Sequence, residues 1–270
     1  MPAKFDVYLF RFFIIWYTIG VFLLSFDLVP PWLEWANVVF LITSGLLAIV
    51  FFYRSGSKIK GIFAIVIIFT LSMAIESFGV HTGLFFGDYT YETDFGPKII
   101  GVPITIGFAW IMVMGTSHAL AAPIVKLVPR FKALFYAIYG GLVATSLDLI
   151  LDPFAYEAKQ YWVWNQPGLY YGIPFSNFYG WFLLSFLLHI IIYLLYYRNN
   201  QWSNLRSSFW SINMVKLYAM MVIMFVIVSL VNQLWLACIV SLSTLLVIYS
   251  IYFKLKRTKI DDKSKQKATL

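Results

Sequence analysis

The sequence specifies an all-α fold, a polytopic membrane bundle of about eight transmembrane helices. Three observations lead there. Of 270 residues, 61% are hydrophobic and only 12% are charged, against about 25% charged in a typical soluble domain; mean hydropathy is +0.80. Eight apolar runs are each long enough, at roughly 20 residues, to cross a bilayer as a helix. The connections between them alternate between basic and acidic. The runs cover about 8–26, 36–53, 61–79, 101–122, 132–151, 174–197, 210–230 and 233–253. The seventh carries Lys216 within it, which reads as a lysine snorkelling to an interface. The chain from 1 to 270 reads as one integral membrane domain with no internal repeat. No small-residue cleavage site follows the first run, so a cleavable signal peptide is not expected.

The connections set the orientation. One set holds Arg54, Lys58 and Lys60, then Lys126, Arg130 and Lys132, then Arg198 and Arg206, then the C-terminal tail. The other holds Asp27 and Glu34, then Asp88, Glu92, Asp94 and Lys98, then Asp152, Glu157 and Lys159. The positive-inside rule places both termini in the cytoplasm and the acidic loops outside, in the cytoplasmic membrane. An even helix count demands the same. The net charge of +8 does not argue for nucleic acid, because seven of the twenty basic residues lie in the tail 254–270. Such a tail is expected to face lipid headgroups. The lone Cys238 excludes an internal disulfide and a cysteine-based metal cluster.

Two acidic-side loops are long, at about 20 residues each, and rich in Gly, Pro and aromatics. They lie within "GVHTGLFFGDYTYETDFGPKIIGVP" (79–103) and "DPFAYEAKQYWVWNQPGLYYGIPFSNFYGW" (152–181). Loops of this length are usually functional or disordered, and this aromatic content argues against disorder. Each begins beside a helix-borne acid and closes with Gly-Val-Pro or Gly-Ile-Pro at a helix start, where proline is well suited to the first turn. They read as a structured cap on the bundle.

Three acids approach that cap. Asp148 and Asp152, four residues apart in "TSLDLILDPF", face the same way from one helix. Glu76 lies about one turn from the end of the third helix. An ionised acid at the centre of a membrane helix costs roughly 2.5–3.5 kcal/mol, and less near the interface. Each acid has two readings. Asp152, before Pro153, either ends its helix or serves a site. Asp148 and Glu76 either link helices or share a functional cavity. Trp162, Trp164, Tyr170 and Tyr171 form either an interfacial aromatic belt or part of that cavity. His118 and His189 fall toward the opposite ends of their helices and read as hydrogen-bonded packing. His81 is at the level of the acids and is a candidate to join them. Three histidines spread over both leaflets do not make an iron site, and no metal site is expected. There is no serine-hydrolase elbow, P-loop or dinucleotide fingerprint.

The segments "ESFGVHTGLFFGDYTY", "GPKIIGVP", "DLILDP" and "YWVWNQPGLYYGIPFSNFYGW" together resemble the membrane carotenoid biosynthesis family that contains the carotenoid hydratases, acting on γ-carotene-type or bisanhydrobacterioruberin-type substrates. The resemblance runs from about Ser72 to Trp181. Positions matching its motifs include Glu76, Tyr89, Tyr91, Trp110, Asp148, Asp152, Trp162, Trp164, Tyr171, Asn177 and Trp181. It implies a hydro-lyase that adds water across the terminal C=C of an acyclic carotenoid end group, giving a tertiary alcohol. It also implies a lipophilic carotenoid and water as substrates, in contact with membrane lipid, and other carotenoid-pathway enzymes as candidate partners.

The residues suit that chemistry. Alkene hydration needs a proton donor, a path for water and a base, and no cofactor. Asp148, Asp152 and Glu76 are the candidate acids and bases. Tyr89, Tyr91, Trp162, Trp164 and Tyr171 are candidates to stabilise a carbocation through their ring faces, and Asn177 is a candidate to hold water. Two other classes remain open on sequence alone. An intramembrane prenyltransferase would use Asp148 and Asp152 to hold a magnesium diphosphate, and a non-catalytic carotenoid binder or transporter would tolerate their neutralisation.

Overall fold

Each of the eight apolar runs forms a helix. The computed structural model describes residues 3–127, 130–196 and 209–268; Arg198 and Arg206 of the charge pattern lie outside them. The helices are α1 (Lys4–Ser25), α2 (Trp35–Arg54), α3 (Lys58–Thr82), α4 (Ile104–Ala121), α5 (Lys132–Pro153), α6 (Phe175–Tyr196), α7 (Phe209–Val231) and α8 (Trp235–Ala268). All eight are long and apolar enough to cross a membrane, and the chain is an integral membrane protein. Lys216 sits exposed within α7 without interrupting it.

α4 is the most enclosed span. It packs against α2, α3, α5 and α7, while α5 packs against α6, α7 and α8. Small residues bring these helices together. A methyl group on Gly45 would stand 2.7 Å from both the backbone oxygen and the Cβ of Phe108, so α2 has no room for a side chain where it meets α4 at that point. α1 is the least buried span. It is pinned by Tyr17 Oη donating to the Met220 carbonyl (2.8 Å) and Trp16 Nε1 donating to the Ala36 carbonyl (3.3 Å).

The two long loops form a structured cap, and its core is a short antiparallel ribbon. β1 (Tyr89–Tyr91) comes from the first loop and β4 (Trp162–Trp164) from the second, pairing Tyr89 with Trp164 and Tyr91 with Trp162. A second small ribbon, β2 (Lys98–Ile99) with β3 (Val102–Pro103), leads into α4. Pro103 and Pro174 stand immediately before α4 and α6, one residue ahead of the first turn. The cap is tied to the rest of its end of the bundle. Lys159 pairs with Asp27 at 2.6 Å, the Asn37 amide donates to Tyr161 Oη at 3.4 Å, and the Ala237 N–H donates to Tyr171 Oη at 3.2 Å. At the opposite end Asp6 pairs with Arg54 at 2.9 Å.

The structure corrects the reading of Asp152 as a helix terminator. α5 runs through Pro153 and continues in a wider, π-type turn over Phe154–Ala158. Pro153 has no N–H, so the carbonyl four residues back, on Leu149, loses its helical donor. Tyr170 Oη donates to that carbonyl at 2.8 Å. The second loop thus supplies the hydrogen bond that Pro153 withholds, and Asp152 stays on a helix, on the same face as Asp148.

Candidate active site

The three acids line one cavity of about 180 Å³ beneath the cap. α3 brings Glu76, α5 brings Asp148 and Asp152, and α6 brings Asn177, all four buried. The Asn177 amide nitrogen donates to Asp148 Oδ2 at 2.8 Å and to Asp152 Oδ2 at 2.7 Å. A primary amide has two N–H bonds, so one is aimed at each carboxyl. The two acid oxygens cannot lie farther apart than those two bonds laid end to end.

The ribbon aims its aromatics at these acids. Alternate residues of a strand share a face, so Tyr89 and Tyr91 point the same way, and their partners Trp164 and Trp162 join them. Trp162 Nε1 donates to Asp152 Oδ1 at 2.5 Å. Trp164 Nε1 also faces Asp152 but falls outside hydrogen-bond geometry, leaving that buried N–H without a partner. Tyr89 Oη donates to Glu76 Oε2, and Tyr91 Oη lies 3.5 Å from the same oxygen, at the edge of hydrogen-bonding range. Burial first, and then the neighbouring Glu76 charge, hold both phenols well above the ordinary tyrosine range, so they remain donors.

Trp110 of α4 completes the set, with Nε1 donating to Glu76 Oε1 at 2.8 Å. Its ring stacks on Trp181 of α6, centroids 4.5 Å apart. Glu76 and Asp152 are therefore held at both oxygens. Asp148 is held only at Oδ2, and its Oδ1 takes no hydrogen bond.

Of the residues named from sequence, Glu76, Tyr89, Tyr91, Trp110, Asp148, Asp152, Trp162, Trp164, Asn177 and Trp181 all line the cavity. Tyr171 does not. Its backbone takes a left-handed conformation at φ 50°, and its hydroxyl turns to the start of α8. His81 does not join the acids either. It sits exposed in the last turn of α3 with Nδ1 on the Ser77 carbonyl. Sequence reasoning missed the remaining wall, which α1, α2 and α7 supply through Trp16, Gly20, Phe40, Met221 and Phe225. These are ordinary apolar residues at helical spacing, and nothing in their pattern distinguishes a cavity wall from a core.

Among the described residues no group of three or more His, Cys, Asp and Glu side chains has the geometry of a metal site. Among the described residues no Lys or Arg lines the cavity. Carboxyls, phenols and indole donors thus meet in a chamber whose remaining lining is mostly apolar.

A protein of this kind, a polytopic membrane bundle with a capped acidic chamber, matches a known family. The chain belongs to the carotenoid biosynthesis protein family, whose model matches residues 36–248, well beyond the motif-bearing stretch 72–181. It is 32% identical over 122 residues to a bisanhydrobacterioruberin hydratase from Haloarcula japonica. That match covers 44% of this chain and 40% of the relative, so the chain spans well under half the length of that protein. No solved structure matches.

Proposed function

We propose that this protein is a carotenoid hydratase. The observation that carries the proposal is the convergence of Glu76, Asp148 and Asp152 on one apolar cavity, with Asn177 bridging the two aspartates. In the proposed reaction Asp148 gives its proton from Oδ1 to the less substituted carbon of the terminal alkene. The π electrons form the new C–H bond and leave a tertiary carbocation. Tyr89, Tyr91, Trp162 and Trp164 line the same cavity, and in this proposal their ring faces attract that cation, by about 0.5–2 kcal/mol each. A water lone pair then forms the C–O bond, the oxonium proton passes to a carboxylate, and from there it returns to Asp148, restoring the starting state. Asp152, oriented by Trp162 and Asn177, and Glu76, oriented by Trp110 and Tyr89, are placed to hold the water and take that proton. Atoms and charge balance with water alone, so the reaction calls for no cofactor.

The relative's name supports this reading. The empty complement of Lys and Arg around the cavity weighs against a diphosphate substrate and so against prenyl transfer. We further propose that the whole chain acts as one membrane domain, with both termini and the basic tail cytoplasmic and the cap on the other face, as the alternation of loop charges favours. In that position polyene would enter from lipid and water from beneath the cap, and other carotenoid-pathway enzymes would be neighbours in the same membrane.

The test is pigment analysis of a lycopene- or γ-carotene-producing host expressing the chain. The expected product is heavier than its precursor by one water. An unaltered pigment profile with normal protein levels overturns hydration of these end groups, and a prenyl-lengthened product replaces it with elongation.

A further inference from the structure

The cavity does not end at the acids. Its lining extends to α1, through Trp16, Gly20, Leu23 and Leu24, and takes in residues of α2 and α7. Leu33, from the α1–α2 connection, and Phe40 of α2 flank this arm. It carries no charged side chain. Apart from Asn37, whose amide is taken up by Tyr161 Oη, the residues lining this arm are apolar or aromatic.

Gly20 differs from the glycines of the helix contacts. A methyl group on Gly45 or Gly140 would collide with a neighbouring helix, whereas one on Gly20 meets nothing within 4 Å. Gly20 therefore does not serve close helix packing. A glycine inside a helix costs about 0.5–1 kcal/mol relative to alanine, and here no contact offsets that cost. What the missing side chain leaves is width in the cavity. One turn earlier, Trp16 and Tyr17 fix α1 to α2 and α7, so the gap beside Gly20 is held open by a braced helix.

We propose that the α1 arm is the berth for the long isoprenoid body of the substrate and that Gly20 sets its width, making Gly20 a specificity-determining residue. The occupant follows from continuity. A molecule whose terminal alkene lies at Asp148 must place the rest of its length somewhere apolar, and the arm toward α1 is the continuation of that same chamber. The inference rests on the hydration reading for the identity of the reacting end, but not for the shape of the berth.

The test compares the full-length protein with Gly20→Phe and Gly20→Ala in lipid nanodiscs, using lycopene and geraniol as probes. Both carry a terminal isopropylidene group, and only lycopene is long enough to need the arm. Binding of lycopene is read by quenching of tryptophan fluorescence and hydration by product mass. Gly20→Phe is expected to weaken lycopene binding and turnover by about tenfold or more through overfilling, with geraniol turnover within about twofold of the parent. Gly20→Ala is expected to weaken lycopene binding less than Gly20→Phe does, and Ile19→Phe, on the exposed face of the same helix and outside the cavity lining, is expected to match the parent with both probes. Unchanged lycopene binding in Gly20→Phe overturns the berth, and so does a parallel loss of geraniol turnover. Replacing a helical glycine favours the helix, and Gly20→Leu provides a second variant should the phenylalanine protein fail to accumulate. If the parent binds lycopene but hydrates neither probe, the hydration reading falls while the binding comparison still decides the berth.

Discussion

Two buried polar clusters lie at opposite ends of the bundle, and their contrast separates a site from packing. At the capped end, Glu76, Asp148 and Asp152 face a cavity. At the other, His118, Tyr136, Ser117 and His189 are equally buried but packed solid. His118 Nδ1 bonds Tyr136 Oη, while His189 bonds the Ser185 carbonyl through Nδ1 (2.7 Å) and Ser117 Oγ through Nε2 (3.3 Å). A methyl group on Gly140 would stand 2.3 Å from the His189 ring. Burial and polarity are shared by the two clusters. The acid cluster lines a cavity, and Asp148 presents to it a carboxyl oxygen that takes no hydrogen bond.

The sharpest way to break this contrast is to neutralise the acids. Asp148→Asn is expected to lower hydrated product per unit of protein by about 10²–10⁴-fold, the usual range for a general acid, with normal expression. Product near the parent level would remove Asp148 from the chemistry. Glu76→Gln should follow, because it retains acceptors for Trp110 and Tyr89 at one oxygen only.

Gly140→Ala probes the other cluster. The methyl must displace His189, and overpacking of this kind costs about 1–3 kcal/mol. A lower midpoint of thermal unfolding is expected, with activity per folded molecule within about twofold of the parent. A selective loss of activity without loss of stability would make the histidine end part of the mechanism.

Trp162→Phe sharpens the picture of the acid end. The ring remains and the N–H to Asp152 is lost, a hydrogen bond worth about 1–3 kcal/mol when its acceptor is buried or charged. A fall in kcat of about tenfold, with KM little changed, is the expected signature. An equal fall in Trp162→Leu would show that the ring contributes nothing beyond the N–H.

The smallest expected effect concerns pH. Tyr89 and Tyr91 have raised ionisation points in the folded protein, so their contribution to stability is intact below about 10, the ordinary tyrosine value, and is lost as pH climbs above it. The difference in spectrophotometric titration between the parent and a Tyr89→Phe/Tyr91→Phe variant should be two phenols that resist ionisation where exposed tyrosines titrate. Their titration at the ordinary position would mean that the ribbon opens.

Much of the fold was legible in the sequence because a membrane helix is written as an uninterrupted apolar run. The facing of Asp148 and Asp152 was legible from their four-residue spacing. The ribbon was not read, although YTY and WVW each carry the period of two that marks a strand. Three residues are too few for that pattern to stand out against an aromatic-rich loop. The passage of α5 through Pro153 was also hidden, because the local rule ends a helix there and the compensating hydroxyl sits on Tyr170 in the next loop. Trp110 and Trp181 entered only through the family resemblance, since a tryptophan in an apolar helix announces no role. The bridging of two acids by Asn177 depends on how α6 lies against α5, which no local pattern encodes.

The β1–β4 ribbon has a consequence for how the molecule comes into being. It joins a segment that precedes α4 to one that follows α5, so the closing contact waits until the intervening pair of helices has entered the bilayer. A ribosome that has released Trp164 has already delivered Glu76, Asp148 and Asp152, but a chain stopped short of it holds all three carboxyls without their roof. Assembly of the chamber is thereby timed to the second half of synthesis, and a nascent chain exposes its acids to the membrane only for the interval before the tryptophans arrive.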